Sequence, residues 1–571
     1  MTTLDWGILI AVQVFIIAYG VWKSRGSSDM RSYLLSDRDT PWFTVGLSIM
    51  ATQASAITFL SAPGQAYTDG MRFIQIYFGM PLAMIVLSVF VVPIYHKLNV
   101  FTAYEYLEKR FDLNTRLLAA FLFLSQRGLA AGFTIFAPAL VLSSLLGWNI
   151  YWVNLMIGAA VIIYTVSGGT KAVSQTQKQQ MAIILIGMVI AGVMVVQLLP
   201  QEVSFGDALH LAGKMGRLNA VDFEFDLSSK YNIWSGVLGG FFLMLSYFGT
   251  DQSQVQRYLS GRSVGQSRLG LLFNAMIKIP MQFSILFIGA MLYVFYTFQA
   301  PPITFNRVQA EQITQDERVS EDYEKLKGDY EMVFEDKRQT ALSLLSALDQ
   351  GDETGVTTAR TELMRLEGEQ KEIKAATDDL ILKSQPEADT NDTNYIFIHF
   401  VQDHLPMGLL GLIVAVILSA SMSSTSSELN ALASTTIVDF YKRVYKPNAS
   451  EKHYLKASRW ATVLWGVYAI IFAFFANRLG SLIEAVNILG SLVYGAILGI
   501  FLVAFFLPKV KARETFVAGV CAELLVLTIH FLNYLEITEV PFLWYNVIGC
   551  LPLIALAWLL SETGVLRSKS K

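Results

Sequence analysis

Thirteen stretches of this 571-residue chain are apolar over a length that fits the roughly 30 Å hydrocarbon core of a bilayer. They fall near 5–22, 41–66, 74–96, 114–146, 150–167, 179–199, 231–256, 267–298, 399–440, 456–476, 481–507, 513–532 and 542–560. Lipid offers the backbone no hydrogen-bond partner, so each stretch must be a helix and the chain an all-α integral membrane protein of about 13 spans. Composition agrees: 53% of residues are hydrophobic, 12% aromatic and 16% charged, against about 25% charged in soluble domains. The first apolar segment, Trp6 to Val21, follows Met-Thr-Thr-Leu-Asp without a basic region and has no small-residue cleavage pattern before Lys23, so it reads as a retained helix. Cys521 and Cys550 both lie in apolar stretches, which argues against a disulfide framework or a thiolate metal site.

Charge is distributed unevenly. Residues 302–395 hold 22 acidic and 11 basic side chains, leaving 24 acidic and 32 basic for the rest. The basic clusters sit in alternate loops: Lys23, Arg25, Arg31 and Arg38; Lys97, Lys109, Arg110 and Arg116; Lys171 and Lys178; Arg257, Arg262 and Arg268; Lys442 through Arg459; Lys509, Lys511 and Arg513; and Arg567, Lys569 and Lys571. The positive-inside rule then places the N-terminus outside and the C-terminus in the cytoplasm, in a plasma or cell inner membrane. Short basic loops explained by topology give no support to nucleic-acid binding.

On that topology residues 302–395 lie outside. Val319, Tyr323, Leu326, Tyr330 and Val333 form a stripe at helical spacing, continued by Leu344, Leu345 and Leu348. Gly351 to Gly355 makes a turn, and Leu363, Leu366, Ile373 and Leu380 follow on a similar stripe. The pattern predicts a helical hairpin, either solvated and without a binding role or a dock for a partner whose identity the sequence leaves open.

Spans two to six and seven to eleven are sets of five, and an odd number inverts the second set relative to the first, an arrangement typical of transporters. The expected organisation is an extra helix and inside loop (1–40), a first repeat (41–199), an outside loop (200–230), a second repeat (231–301 and 396–507) split by the 302–395 insert, and two C-terminal helices with a basic tail (508–571). The first helix of each repeat is interrupted: Thr52-Gln53-Ala54-Ser55-Ala56-Ile57-Thr58, then Pro63-Gly64, in span two, and Ser246-Tyr247-Phe248-Gly249-Thr250-Asp251-Gln252, after three glycines, in span seven. Span nine carries Ala420-Ser-Met-Ser-Ser-Thr-Ser-Ser427, six hydroxyls on about two helical turns. In lipid these must face protein, water or an ion. Stacked oxygens suit a small hard cation; close helix packing with hydroxyls bonded back to their own helix is the other reading.

At these residues the chain resembles the sodium/solute symporter family, in the branch of sodium/iodide, monocarboxylate and multivitamin cotransporters. Tyr95-His96-Lys97-Leu98, Thr102 through Phe111, Ala137-Pro138-Ala139-Leu140, Gly168-Gly169-Thr170-Lys171-Ala172-Val173 and the serine ladder with Ser434 to Tyr441 carry the resemblance, which does not reach 302–395. It implies a LeuT-like inverted five-plus-five core that couples co-transported sodium to solute uptake by alternating access. It also implies a sodium site on the carbonyls of Ala51, Ala54 and Ala420 and the hydroxyls of Ser423 and Ser424, with Tyr247 and Phe248 as an inner gate. Where some members carry an Asp after Thr in the sixth span, this chain has Gln177 after Thr176, which removes support for a second sodium site. Where sugar-transporting members present a Glu, it has Tyr77.

The spans place four ionisable residues near mid-bilayer: Arg127, Lys278, Glu428 and Glu484. With Thr58 and Gln126, the residues Arg127, Lys278 and Glu484 are the candidates for contacting solute. Two cations at the cavity would favour an anion, which an arginine can grip with two parallel bonds; alternatively Glu484 and Glu428 neutralise both and hold helices in register. The expected protein is a sodium-coupled symporter, embedded in membrane lipid, for a small organic or inorganic anion. A sugar, polyol or amino-acid symporter and a transporter-like sensor signalling through the insert stand as alternatives. No enzyme is expected, since no nucleophile and base or paired metal ligands are set together.

Overall fold

The computed structural model describes residues 1–24, 38–386, 388–476 and 480–566. Of the expected basic residues, Arg25, Arg31, Arg567, Lys569 and Lys571 lie outside the described residues, and Lys23 and Lys171 are described in backbone only. The expected spans are helical over most of their length, but 41–66, 74–96, 231–256 and 399–440 are each divided between helical segments, and 150–167 and 179–199 share one run. By length and apolarity alone eight helical stretches among the described residues can cross a membrane, with Thr3–Tyr19, Ile150–Val166 and Ser235–Thr250 as shorter apolar helices.

A leading helix α1 (Thr3–Ser24) precedes the first repeat: α2 (Trp42–Gln53), α3 (Ala56–Asp69), a 3₁₀ segment Gly70–Tyr77, α4 (Met80–Val86), α5 (Val92–Leu98), α6 (Glu105–Arg110), α7 (Leu113–Leu146) and α8 (Ile150–Gln197). The run α8 contains two expected spans. The Tyr164 hydroxyl bonds that of Thr176, yet a straight helix would hold residues twelve apart about 18 Å away. The run therefore is not straight between them. After α9 (Phe205–Lys214) the second repeat comprises α10 (Gly240–Thr250), α11 (Gln252–Leu259) and α12 (Val264–Phe298), then, beyond the insert, α16 (Ile396–His404), α17 (Leu409–Thr435), α18 (Glu451–Ala473) and α19 (Leu482–Phe506). Two more helices, α20 (Ala512–Tyr534) and α21 (Phe542–Thr563), close the chain. Both repeats open with a helix broken midway, α2/α3 at Ala54-Ser55 and α10/α11 at Asp251, which is the inverted five-plus-five architecture.

The broken helices stand among α7, α8, α12, α17 and α19, and α17 is packed by α7, α8 and α1. Lipid supplies no hydrophobic drive for helices to associate, so close packing must hold them, and small residues let backbones meet. A Cβ on Gly289 of α12 would lie 2.1 Å from the Pro63 carbonyl of α3, and one on Gly411 of α17 would lie 2.2 Å from the Asp5 carbonyl of α1. The Asp5 carboxylate accepts from the Gly408 and Gly411 amides at 2.8 and 3.0 Å, pinning α1 to the start of α17.

The insert adds α13 (Arg307–Gln315) and an antiparallel pair, α14 (Ser320–Gln350) and α15 (Glu353–Ser384). Gly351 ends α14 in the left-handed region, φ +68°, and Asp352 caps α15 through the Thr354 and Gly355 amides. The expected stripe is inside: Tyr323, Val333, Leu344 and Leu345 are buried with Leu363, Leu366 and Leu380. The hairpin does not stand free in water. It lies on the membrane core, where Glu367 accepts from Tyr293 of α12 and Arg217 after α9, and Arg307 pairs with Asp403. We call this end of the molecule the hairpin face. The start of α1 is there, and Arg110, Arg116 and Lys509 are at the opposite face.

Candidate functional site

At the first break the Ser55 amide turns to the Gln53 carbonyl at 3.1 Å and leaves the Ala51 carbonyl without its helical donor. The Ser423 hydroxyl of α17 takes that place, donating to Ala51 O at 2.9 Å. Ser424 donates to the Ala420 carbonyl at 2.9 Å and to that of Ser421 at 3.3 Å. Each hydroxyl gives its proton to a carbonyl and retains lone pairs, so α2 and α17 set neutral oxygens side by side, the donor type a monovalent cation takes. Both readings of the ladder have a place. Ser424, Ser426 and Ser427 bond back within α17, whereas Ser421 and Thr425 reach Thr134 of α7 and Ser423 reaches α2.

Gln177 of α8 lies beside this group. Its amide nitrogen donates to Ser427 Oγ at 2.9 Å, Thr52 Oγ1 at 3.1 Å and the Ser423 carbonyl at 3.3 Å, while its oxygen accepts from Ser48. A neutral amide thus ties α2, α8 and α17 together.

The central cavity, of about 100 Å³, opens beside the break. Thr58, Gln126, Arg127 and Tyr247 line it, with Ser55, Tyr77, Asn487 and Tyr494. Ser55 is the N-cap of α3 and makes no side-chain capping bond, so the positive end of a 14-residue helix faces the cavity uncapped.

Arg127 is not a free cation. Its Nε donates to Asp251 at 3.0 Å and its NH1 to Glu428 at 3.1 Å, and NH2 reaches both Asp251 and Tyr494. Tyr494 OH also donates to Asp251 at 2.8 Å, and Thr134 to Glu428 at 2.9 Å. Of the two carboxylates that could neutralise the cations, Glu428 is the one beside Arg127, with Asp251 as a second. Asp251 sits where it does because it caps α11, accepting the Ser253 amide at 2.8 Å. Glu484 is not at mid-bilayer, as its span suggested: it is in the first turn of α19, at the hairpin face, where it takes the Tyr231 hydroxyl at 2.7 Å and Lys230 at 3.3 Å. A carboxylate is stable at that helix start and has no part in the cavity. Lys278 is fully buried, 5.6 Å from the Tyr77 ring centroid, without a hydrogen-bond partner among the described residues. Tyr77 stands at the cavity wall and Lys278 behind it.

Tyr247 is held by Gln254 of α11 at 2.6 Å and stacks near Arg127, with Phe248 buried beside it at 4.9 Å between ring centroids. The second break is supported from the segment that carries the family resemblance: Tyr95 and Tyr104 donate to the Gly249 and Thr250 carbonyls, both at 2.9 Å. Sequence reasoning missed the roles of Asp251, Tyr494 and Asn487. The interruption at span seven was the available signal for Asp251, because a break inside the membrane needs a cap.

Two inverted repeats around paired helix breaks, with a polar cavity between them, define a secondary transporter. The profile of the sodium:solute symporter family matches residues 33–321 and 383–521, and the chain belongs to that family. It is similar to the human sodium/iodide cotransporter, at 33% identity over 54% of this chain and 47% of that protein. Similarity to human sodium-coupled monocarboxylate transporter 1 is 26% over 88% of this chain and 68% of the relative, and to the rabbit sodium-dependent multivitamin transporter 25% over 88% and 66%. A substrate-bound, outward-open Na⁺-coupled sialic acid symporter has the same fold, with a TM-score of 0.74 at 21% identity over 98% of each chain. The protein is thus a sodium-coupled solute symporter of a membrane, and its relatives are transporters rather than enzymes.

Proposed function

We propose that this protein imports a small anionic solute together with one sodium ion. The observation that carries the sodium reading is the Ser423 hydroxyl placed on the carbonyl freed at Ala51, beside Ser424 and Ala420. Sodium among Ala51, Ala54, Ala420, Ser423 and Ser424 would join α2 to α17 and favour the solute-competent state; one sodium ion with one monovalent anion moves no net charge, so the sodium gradient rather than the membrane potential drives uptake. Gln177 already bonds the neighbouring hydroxyls, which supports a single ion.

The anion reading rests on the uncapped N-terminus of α3, not on Arg127, whose charge two carboxylates answer. A cavity of about 100 Å³ favours a small solute, since ligand pockets commonly begin near roughly 300 Å³. Iodide and monocarboxylates, named for two relatives, are both anions. Thr58 and Gln126 line the solute's place, Tyr247 and Phe248 gate it, and Lys278 would reach it only if Tyr77 moves. The hairpin face is outside and the basic loops inside, in a plasma or cell inner membrane.

Uptake by proteoliposomes of labelled iodide, a short monocarboxylate, pantothenate, glucose and proline, with and without an inward sodium gradient, tests the whole reading. Sodium-driven uptake of an anion, lost in Ser424→Ala, is the expected result. Uptake indifferent to sodium would refute the coupling, and glucose or proline as the transported solute would refute the anion.

A further inference from the structure

Between the hairpin and the membrane core lies a second cavity, of about 280 Å³, remote from the central one. Its walls come from the end of α3, from α12, from Arg217 after α9 and from both long insert helices. The charged residues lining it are four cations (Arg217, Lys337, Lys371 and Lys374) and three anions (Asp69, Glu367 and Asp392).

The anions are already engaged. Glu367 accepts from the Tyr293 hydroxyl and pairs with Arg217 at 3.4 Å and Lys337 at 3.6 Å. Asp392 pairs with Lys374 at 3.2 Å and accepts from Thr304 at 3.1 Å and the Phe305 amide at 3.2 Å, and Asp69 accepts from Gln65. What remains in excess is N–H. Gln370 is 93% buried; its oxygen accepts from Lys337 at 3.1 Å, and its amide nitrogen has no acceptor among the described residues. The Arg217 Nε is buried and likewise without an acceptor there. Buried donors are costly unless paired.

We infer that this cavity binds a small monovalent anion, a halide or a short carboxylate, held by Arg217 Nε, the Gln370 amide and Lys371, and that the bound anion fastens the hairpin to α3 and α12. Arg217 also donates to the Thr68 carbonyl at the end of α3, so the anion shares a ligand with the helix whose other end borders the central cavity. The site does not depend on which solute is transported.

The test uses the full-length protein at fixed sodium. Bromide or formate is titrated while amide exchange of residues 353–384 is followed, and bromide is located by its anomalous scattering. At ten times the dissociation constant, amides that open by undocking should exchange about tenfold more slowly. The protection should vanish in Gln370→Glu, which keeps the shape but repels an anion, and in Arg217→Gln. Bromide density beside Arg217 and Gln370, or protection by either anion lost in these variants, supports the site. No protection by either anion with no density there, or bromide found only beside Ser55 in the central cavity, overturns it.

Discussion

Ser423 joins two helices through one hydroxyl, so replacing it disturbs little besides the oxygen cluster. Ser423→Ala should raise the sodium concentration for half-maximal uptake by about 5- to 30-fold, the worth of roughly 1–2 kcal/mol, with little change in thermal stability. Sodium-dependence curves in proteoliposomes check this; an unchanged curve would move the ion elsewhere. Gln177 offers the opposite experiment. Gln177→Glu would set a carboxylate among Ser48, Thr52 and Ser427, and the Hill coefficient for sodium should rise above one. Arg127 has a structural burden, since it faces Asp251 and Glu428 in a site 4% exposed. Arg127→Gln leaves two buried carboxylates without their cation and should cost about 3–5 kcal/mol, seen as loss of the monodisperse folded protein in detergent. Adding Glu428→Gln should restore part of that loss.

At the level of elements, the two broken helices are held in different ways. α2/α3 is braced from α17 by Ser423, and α10/α11 from α5 by Tyr95 and from the start of α6 by Tyr104. Replacing both tyrosines by phenylalanine should cost about 1 kcal/mol per lost bond and slow transport more than it weakens sodium binding, which paired rate and sodium-affinity measurements would separate. The spans, the breaks and the hairpin were legible because each is a local pattern of apolar spacing, glycine, proline and turn residues. The hydroxyl ladder was legible because hydroxyls are conspicuous in an apolar helix. Partners were not: Arg127 meets residues 124 and 301 positions away, and periodicity says nothing of such contacts. Glu484 looked intramembrane because span edges are blurred by a few residues, and one turn decides between mid-bilayer and helix start.

On the scale of the molecule, the insert carries carboxylates whose titration bears on its own stability. Burial, with Asp392 and Asp378 nearby, pushes the Asp389 carboxyl up to about 6 from 3.8. Its contribution to the folded insert is therefore full below pH 3.8 and lost as pH rises through about 6. Asp316, held low by hydrogen bonds from Arg318, acts in the other sense, and only as pH falls below 3.8. Exchange protection of the insert should thus decline from pH 5 to pH 7, and Asp389→Asn should flatten the decline. Deleting residues 305–392 should leave sodium-driven uptake in place, because the family profile spans the membrane part without residues 322–382. Loss of all uptake in a folded deletion variant would give the insert an essential share in transport.

Inverted repeats make the two faces of such a molecule near mirror images in how they open. The hairpin spoils that equivalence, since it rests on α12 and near the end of α3 at one face and has no counterpart at the other among the described residues. It cannot alter the solute ratio at which flow stops, which the sodium gradient and the coupling ratio set. It can make the two directions of the cycle unequal in speed. A load carried on one face holds that face shut longer, so the empty carrier dwells on one side of the membrane, and forward and reverse fluxes saturate at different solute concentrations.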